Sequence, residues 1–483
     1  MPSEKTEETT EERISYNKKL WPLYLLNGFQ SIAYGGIIVL VVPLSLIFWP
    51  DEPVHSFEMG LIYTTLAWSG AFSGLLFGRI IDKYSRKNII ILISIFRGIS
   101  MFLLGFAVEG AGLTTWGYFM LFIAIFGAFS GGTWPAVISI SNDVVPKAKR
   151  SRFFGVYEIV RNTTNIFGWL FTTALVQLGF WREYFWFIGI AILIGGVLFT
   201  FTIDEPKRGS QQEELYHVLK DGTVEYNYEI DLEMIRRTML SKTNMVALIE
   251  GIFTWILMSS LNFMILNYVQ TPPINIAPFS TSVFLITFGL TGGLIGQLIL
   301  ARLSDRLAEK KPIVRLPIIV IAIVGGLITF ALFFFLDWPH LTVEEGKDVL
   351  YLMSLPTIWI MGGLFFASRS VFSLYLVNQS PVLQEINLPE AQGQIISWNQ
   401  FLEAFGRGIG PIICGALLLI TSKNYQITVL FIVLCIIPGV VLWIAAVRWY
   451  PDDKEQIREI LEDRARELQK EKEQEPSRRL LKP

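Results

Sequence analysis

Two stripes of charged and amide side chains lie inside otherwise apolar stretches of this 483-residue chain. Glu158, Arg161 and Asn165 are spaced i, i+3, i+7; Asn399, Glu403 and Arg407 are spaced i, i+4, i+8. Both spacings put three polar groups on one face of a helix. Such a stripe has a functional use: the guanidinium holds an anionic or polar group of a solute, and the carboxyl takes up and releases a proton. It also has a structural one, in which each Glu–Arg couple is a permanent ion pair that only lowers the cost of burying charge. Arg369, in a third apolar run, joins Arg161 and Arg407 as a candidate anion ligand. Glu250 and Arg97 are further intramembrane candidates, the first near the end of its run and the second able to snorkel.

Other chemistries find no residues. His55, His217 and His340 all fall outside the apolar runs, so no metal or cofactor site is expected within them. Cys414 and Cys435 lie in apolar runs and read as small buried hydrophobes. There is no Walker-type phosphate loop, so ATP is not expected as a direct energy source. A membrane-embedded enzyme is not expected. A non-transporting scaffold, binding a partner through polar segments, is the remaining class.

The elements that must position these residues are membrane helices. The chain is 52% hydrophobic and 17% charged, and nothing from Leu20 to Pro50 is acidic or basic. Roughly 20 apolar residues cross a bilayer as a helix. Twelve spans are expected, at about 20–49, 57–81, 88–108, 113–140, 153–178, 181–203, 245–269, 279–303, 313–337, 348–377, 393–421 and 425–449. The organisation expected is an N-terminal tail (1–19), six helices (20–203), a polar middle segment (204–244), six more helices (245–449) and a charged tail (450–483). Within the middle segment, Asp221-Gly222 marks a β-hairpin turn, and Asp231 to Leu240 a short amphipathic helix. In the tail, Ile457, Ile460, Leu461, Ala465 and Leu468 recur at helical spacing and predict a cytoplasmic amphipathic helix of its own. Trp21, Trp49, Trp116, Trp181, Trp338 and Trp449 lie near span ends and read as an interfacial aromatic belt.

Cations set the orientation. Lys83, Arg86 and Lys87 follow span two; Lys147, Lys149, Arg150 and Arg152 follow span four; Arg302, Arg306, Lys310, Lys311 and Arg315 follow span eight. The alternate loops are poor in Lys and Arg, which puts both termini in the cytoplasm. One loop breaks the rule: Pro381 to Gln392 carries Glu385 and Glu390 and no cation.

The loop after span two reads Gly78-Arg79-Ile80-Ile81-Asp82-Lys83-Tyr84-Ser85-Arg86-Lys87, and it returns in degenerate form as Ala301 to Lys310. A motif duplicated across two hydrophobic halves points to a transporter built from repeats. Arg161–Gly168 and Glu403–Gly410 align at a similar offset. The motif resembles the signature of the major facilitator superfamily. Gly78, Asp82, Lys83, Arg86 and Lys87 fit it, whereas Ser85 replaces a glycine, and the second copy has Ala301 and Ala308 for its glycines. The resemblance implies an all-α membrane fold of twelve helices in two six-helix repeats. It implies a cytoplasmic gate in which Asp82 caps the start of span eleven, Arg86 pairs with Asp143, and Asp305 and Arg306 serve the second copy. It implies secondary active transport of a small organic solute by alternating access, with proton coupling preferred and uniport the runner-up. The expected partners are protons, the bilayer and a small solute, anionic or zwitterionic, handled by a monomer in the plasma membrane. Span four lacks the buried Arg of proton antiporters in that family. The stretch Asp204-Glu205-Pro206-Lys207-Arg208-Gly209 is similar to the spinster-like branch, whose members move lysolipids, and a lysolipid exporter is the alternative within transporters.

Overall fold

The structure, a computed structural model, describes residues 10–81, 83–145, 150–203, 205 and 235–479. The described residues are mostly helical, with no strand among them. The expected hairpin lies outside the described residues. Of the short helix after it, only a single π-helical turn, Ile235–Met239, falls within them.

The first unit holds α1 (Thr10–Val39), α2 (Val41–Phe48), α3 (Ser56–Ile81), α4 (Arg86–Leu104), α5 (Leu113–Ser130), α6 (Thr133–Val144), α7 (Arg150–Gln177) and α8 (Trp181–Thr202). The second holds α9 (Lys242–Val269), α10 (Pro278–Lys310), α11 (Arg315–Phe335), α12 (Pro356–Glu385), α13 (Pro389–Ile420) and α14 (Tyr425–Arg479). The first turn of α10, through Ser282, clusters with the first unit.

Among the described residues, ten helices are long and apolar enough to cross a bilayer, and α1 with α2 makes an eleventh across a 67° bend. The twelfth is α7, whose 28 residues suffice in length but include Arg150, Arg152, Glu158 and Arg161, which lower its hydropathy. Each expected span thus has its helix, and several are broken. The first bends at Leu40, and the fourth breaks at Gly131-Gly132 between α5 and α6. The tenth is interrupted where Asp348 caps the turn Val349–Ser354 and Pro356 starts α12. Pro at a first helical position leaves no additional donor unpaired. The charged tail is not a separate helix: α14 runs 55 residues without interruption.

The duplication is visible in the packing. In the first unit α1 lies on α7, α3 on α5, and α4 on α5 and α8; in the second α9 lies on α13, α10 on α12, and α11 on α12 and α14. The small residues of the aligned segments do equivalent work. A Cβ on Gly168 would come within 2.8 Å of Ile32 Cα on α1, and one on Gly410 within 2.7 Å of the Ile256 carbonyl on α9. Only a residue without a side chain allows these backbones to meet.

The aromatic belt reading needs correction. Trp21 is exposed, but Trp49, Trp181 and Trp338 are buried. Trp49 stacks on His55 with ring centroids 4.0 Å apart, and Trp338 packs among Phe284, Phe333 and Tyr268. Their indoles fill protein rather than meet lipid headgroups.

Candidate transport and gating sites

The two stripes, alike in sequence, are resolved differently. On α7, Arg161 Nη2 lies 2.5 Å from Glu158 Oε2, and both side chains are substantially exposed. Asn165 turns to α1, donating to the Ser31 carbonyl at 3.2 Å. Nearby, Asn27 donates to the Tyr157 carbonyl. This stripe is an ion pair plus an interhelical tie.

On α13 the stripe stays open. Asn399 Nδ2 donates to Glu403 Oε1 at 2.7 Å, and Gln379 Nε2 of α12 donates to Asn399 Oδ1 at 3.2 Å. Arg407 forms no ion pair within 4.0 Å among the described residues; its guanidinium lies over the Trp255 ring of α9, 4.0 Å from the centroid. Two glycines let α9 come this close. A Cβ on Gly251 would sit 3.3 Å from Glu403 Cγ, and one on Gly406 would sit 2.3 Å from the Ile252 carbonyl oxygen.

Arg369 of α12 reaches the same helix. It donates to Asn262 Oδ1 and to Met258 Sδ, and it stacks on Phe365 at 4.9 Å. Gly251, Trp255, Met258 and Asn262 are spaced i, i+4, i+7, i+11, so Glu403, Arg407 and Arg369 line one face of α9 in that order.

Two further charges are fully enclosed. Both oxygens of Glu250 accept hydroxyl hydrogen bonds, from Thr254 and from Tyr375 at 3.1 Å, and all three residues are 0% exposed. Arg97 of α4 donates to Gln30 at 2.6 Å and to Thr133 at 3.3 Å and lies over Phe126. It is held inside the first unit and does not snorkel.

At the α3–α4 loop, Ser85 caps α4, accepting from the Asn88 N–H. Its hydroxyl also donates to Glu205, whose carboxylate accepts from the Arg86 N–H (3.1 Å), the Lys87 N–H (2.8 Å) and Arg86 Nε (3.1 Å). The chemistry demands such an anion: Arg86 and Lys87 place two cations on the positive end of α4, whose first turn has no acid. Partial burial works to raise the Glu205 pKa, but the bonds from Ser85, Lys87 and Arg86 outweigh it and hold the carboxyl below its ordinary range. The sequence places Glu205 in a suggestive motif without assigning it this task; the missing acid at the start of α4 is the signal that points to it. Ser85, the departure from the family glycine, is the residue that joins cap and clamp. Gly78 has open space at its Cβ position, and Lys83 closes the turn after α3. Asp82 and the Asp143 side chain lie outside the described residues.

In the second copy Asp305 pairs with Arg315 at 3.0 Å, while Arg306 is exposed. Arg315 also donates to Asn378 Oδ1 at 3.0 Å, which accepts from Ser304 as well, and approaches Glu385 at 4.0 Å. Lys454 of α14 meets Glu385 at 2.5 Å, and Tyr450 donates to it. The acidic loop that breaks the charge rule is therefore matched by cations from α14 and the start of α11. Asp453 accepts the Thr243 N–H at the start of α9, and Asn244 and Asn387 exchange two amide hydrogen bonds.

Two six-helix repeats, each holding charge within apolar helices, define a multi-pass membrane transporter of duplicated build. The Major Facilitator Superfamily profile matches residues 20–367, and the chain belongs to that superfamily. Solved structures share the fold. A bacterial homolog of the human lysosomal transporter Spinster superposes with a TM-score of 0.69 at 15% identity, covering 91% of this chain and 98% of that one. A D-xylose–proton symporter gives 0.58 at 15% identity, covering 91% and 99%. Among curated sequences, autophagy-related protein 22 of Gibberella zeae is 25% identical over 193 residues, 38% of this chain and 29% of that protein. The match thus spans under a third of that relative's length.

Proposed function

We propose that the protein is a secondary active transporter moving a small organic solute, anionic or zwitterionic, by alternating access and coupled to protons. The observation that carries this reading is the α13 stripe. Glu403 is held by an amide and not by a cation, so it can change protonation state without breaking an ion pair, whereas Glu158 is closed by Arg161. Superposition on a proton symporter is compatible with this coupling. The Glu205 clamp and the Arg315 cluster act as gating contacts, made in one state of the cycle and remade in another. The basic loops place both termini in the cytoplasm, with the protein acting as a monomer in the plasma membrane.

The test is a proteoliposome assay with an inside-alkaline gradient and an entrapped pH dye, with pooled organic anions, sugars, amino acids and lysolipids added outside. Solute-dependent proton entry is expected, abolished by Glu403→Gln and retained by Glu158→Gln. Equilibration of a labelled pool with no dye response would refute coupling and leave a uniporter.

A further inference from the structure

The face of α9 that meets α12 and α13 gathers two carboxyls and two guanidiniums. Glu250 and Glu403 are its carboxyls, held by hydroxyls and by an amide respectively; Arg407 and Arg369 are its guanidiniums, and neither forms an ion pair within 4.0 Å among the described residues. Arg407 Nε is in addition buried without a hydrogen-bond partner. Guanidiniums inside an apolar bundle are costly and are ordinarily met by an anion. Arg161, the third candidate, already has its anion at 2.5 Å.

The position of the two cations restricts what they can take. α9 is enclosed over most of its surface, yet Trp255 and Asn262 are only half-buried. These are the residues that Arg407 and Arg369 touch. They stand seven residues apart on one face, roughly 10 Å along the helix axis at 1.5 Å per residue. Each guanidinium rests on its own ring, Trp255 or Phe365, which fixes it in place and flanks it with apolar surface. A single carboxylate does not span that distance; a molecule with an anionic group at each end and an apolar middle does.

We infer that Arg369 and Arg407 form a two-point anion site and that the cargo is an elongated organic dianion, of the α,ω-dicarboxylate type. The inference rests on the transport reading above for its role, but not for its binding test.

Full-length protein in detergent is titrated calorimetrically with succinate, adipate, suberate and sebacate, with hexanoate as the single-charge control. Saturable binding is expected for the longer diacids, about tenfold or more tighter than hexanoate, as the second charge-assisted contact requires. Arg369→Gln and Arg407→Gln each remove about tenfold in affinity and reduce the diacid to the strength of hexanoate. If either glutamine variant fails to elute as a single species, Arg369→Lys and Arg407→Lys take its place, with an intermediate loss expected. Equal binding of diacid and hexanoate, or wild-type affinity in either arginine variant, overturns the site. No binding of any diacid, with pooled uptake into liposomes intact, overturns the dianion and leaves the transporter. Diacid binding without uptake of any solute leaves the site and refutes the transport reading.

Discussion

Replacing Glu205 by Gln removes the charge at the start of α4 and keeps the shape. The carboxylate accepts from two backbone N–H groups, a hydroxyl and a guanidinium. Hydrogen bonds to a charged group contribute roughly 1.5–3 kcal/mol each when buried; with the Glu205 side chain 35% exposed, solvent removes much of that. Adding a helix-terminus term of about 0.3–1 kcal/mol, the clamp stabilises the closed loop by about 2 kcal/mol. At about 1.4 kcal/mol per decade this is a roughly 30-fold change in local opening. Hydrogen exchange read by mass spectrometry on peptides covering 83–90 measures it directly, because the Lys87 amide is itself a donor. Exchange in Glu205→Gln is expected to be about 30-fold faster at neutral pH. The pH dependence has a defined sign. The folded pKa lies below the ordinary value of 4.5, so the contribution is full above 4.5 and is lost as pH falls through the lower, folded value. The two proteins, compared at equal pH, converge in acid. Equal protection at neutral pH, or a difference that persists unchanged at the acid end, would refute the clamp.

Gly406→Ala is expected to cost about 1–3 kcal/mol in thermal unfolding, because its Cβ would lie 2.3 Å from the Ile252 carbonyl, whereas Gly293→Ala, with nothing within 4 Å, leaves the transition unchanged or slightly raised. Arg315→Met takes the cation from Asp305 and one partner each from Asn378 and Glu385, which keep Ser304, Lys454 and Tyr450, and is expected to lower stability by about 1–2 kcal/mol; adding Glu385→Gln to it costs less than Glu385→Gln alone, which a double-mutant cycle reads. Tyr375→Phe leaves one oxygen of the enclosed Glu250 without its donor and costs about 1–3 kcal/mol in the same assay; a neutral result would mean that a solvent molecule replaces the hydroxyl.

Much of the fold was legible. Long uncharged runs can be satisfied only by helices in a bilayer, and all twelve found their helix. The π-helical turns in α10, the breaks at Leu40 and Leu355, and the fusion of span and tail in α14 were not legible. They depend on local backbone geometry that hydropathy does not encode. Asp305 was singled out by the repeat, but its partner Arg315 was counted only as a topology cation, and Glu385 only as an exception to a rule. Those three meet because the start of α11 and the end of α12 are brought together by packing, with Lys454 of α14 alongside.

The sequence by itself determined that charges lie inside membrane helices, on which face of each helix they fall, and that the arrangement occurs twice. Hydropathy and the 3.6-residue period suffice for that. Only the tertiary structure decided what those charges do. Glu158 with Arg161 and Glu403 with Arg407 are within reach of each other on spacing alone. The first pair closes; the second stays apart because Asn399 holds the carboxyl and Trp255, from another helix, takes the guanidinium. Spacing sets which groups can meet along one helix, and the competing partners that settle whether they do come from neighbouring helices.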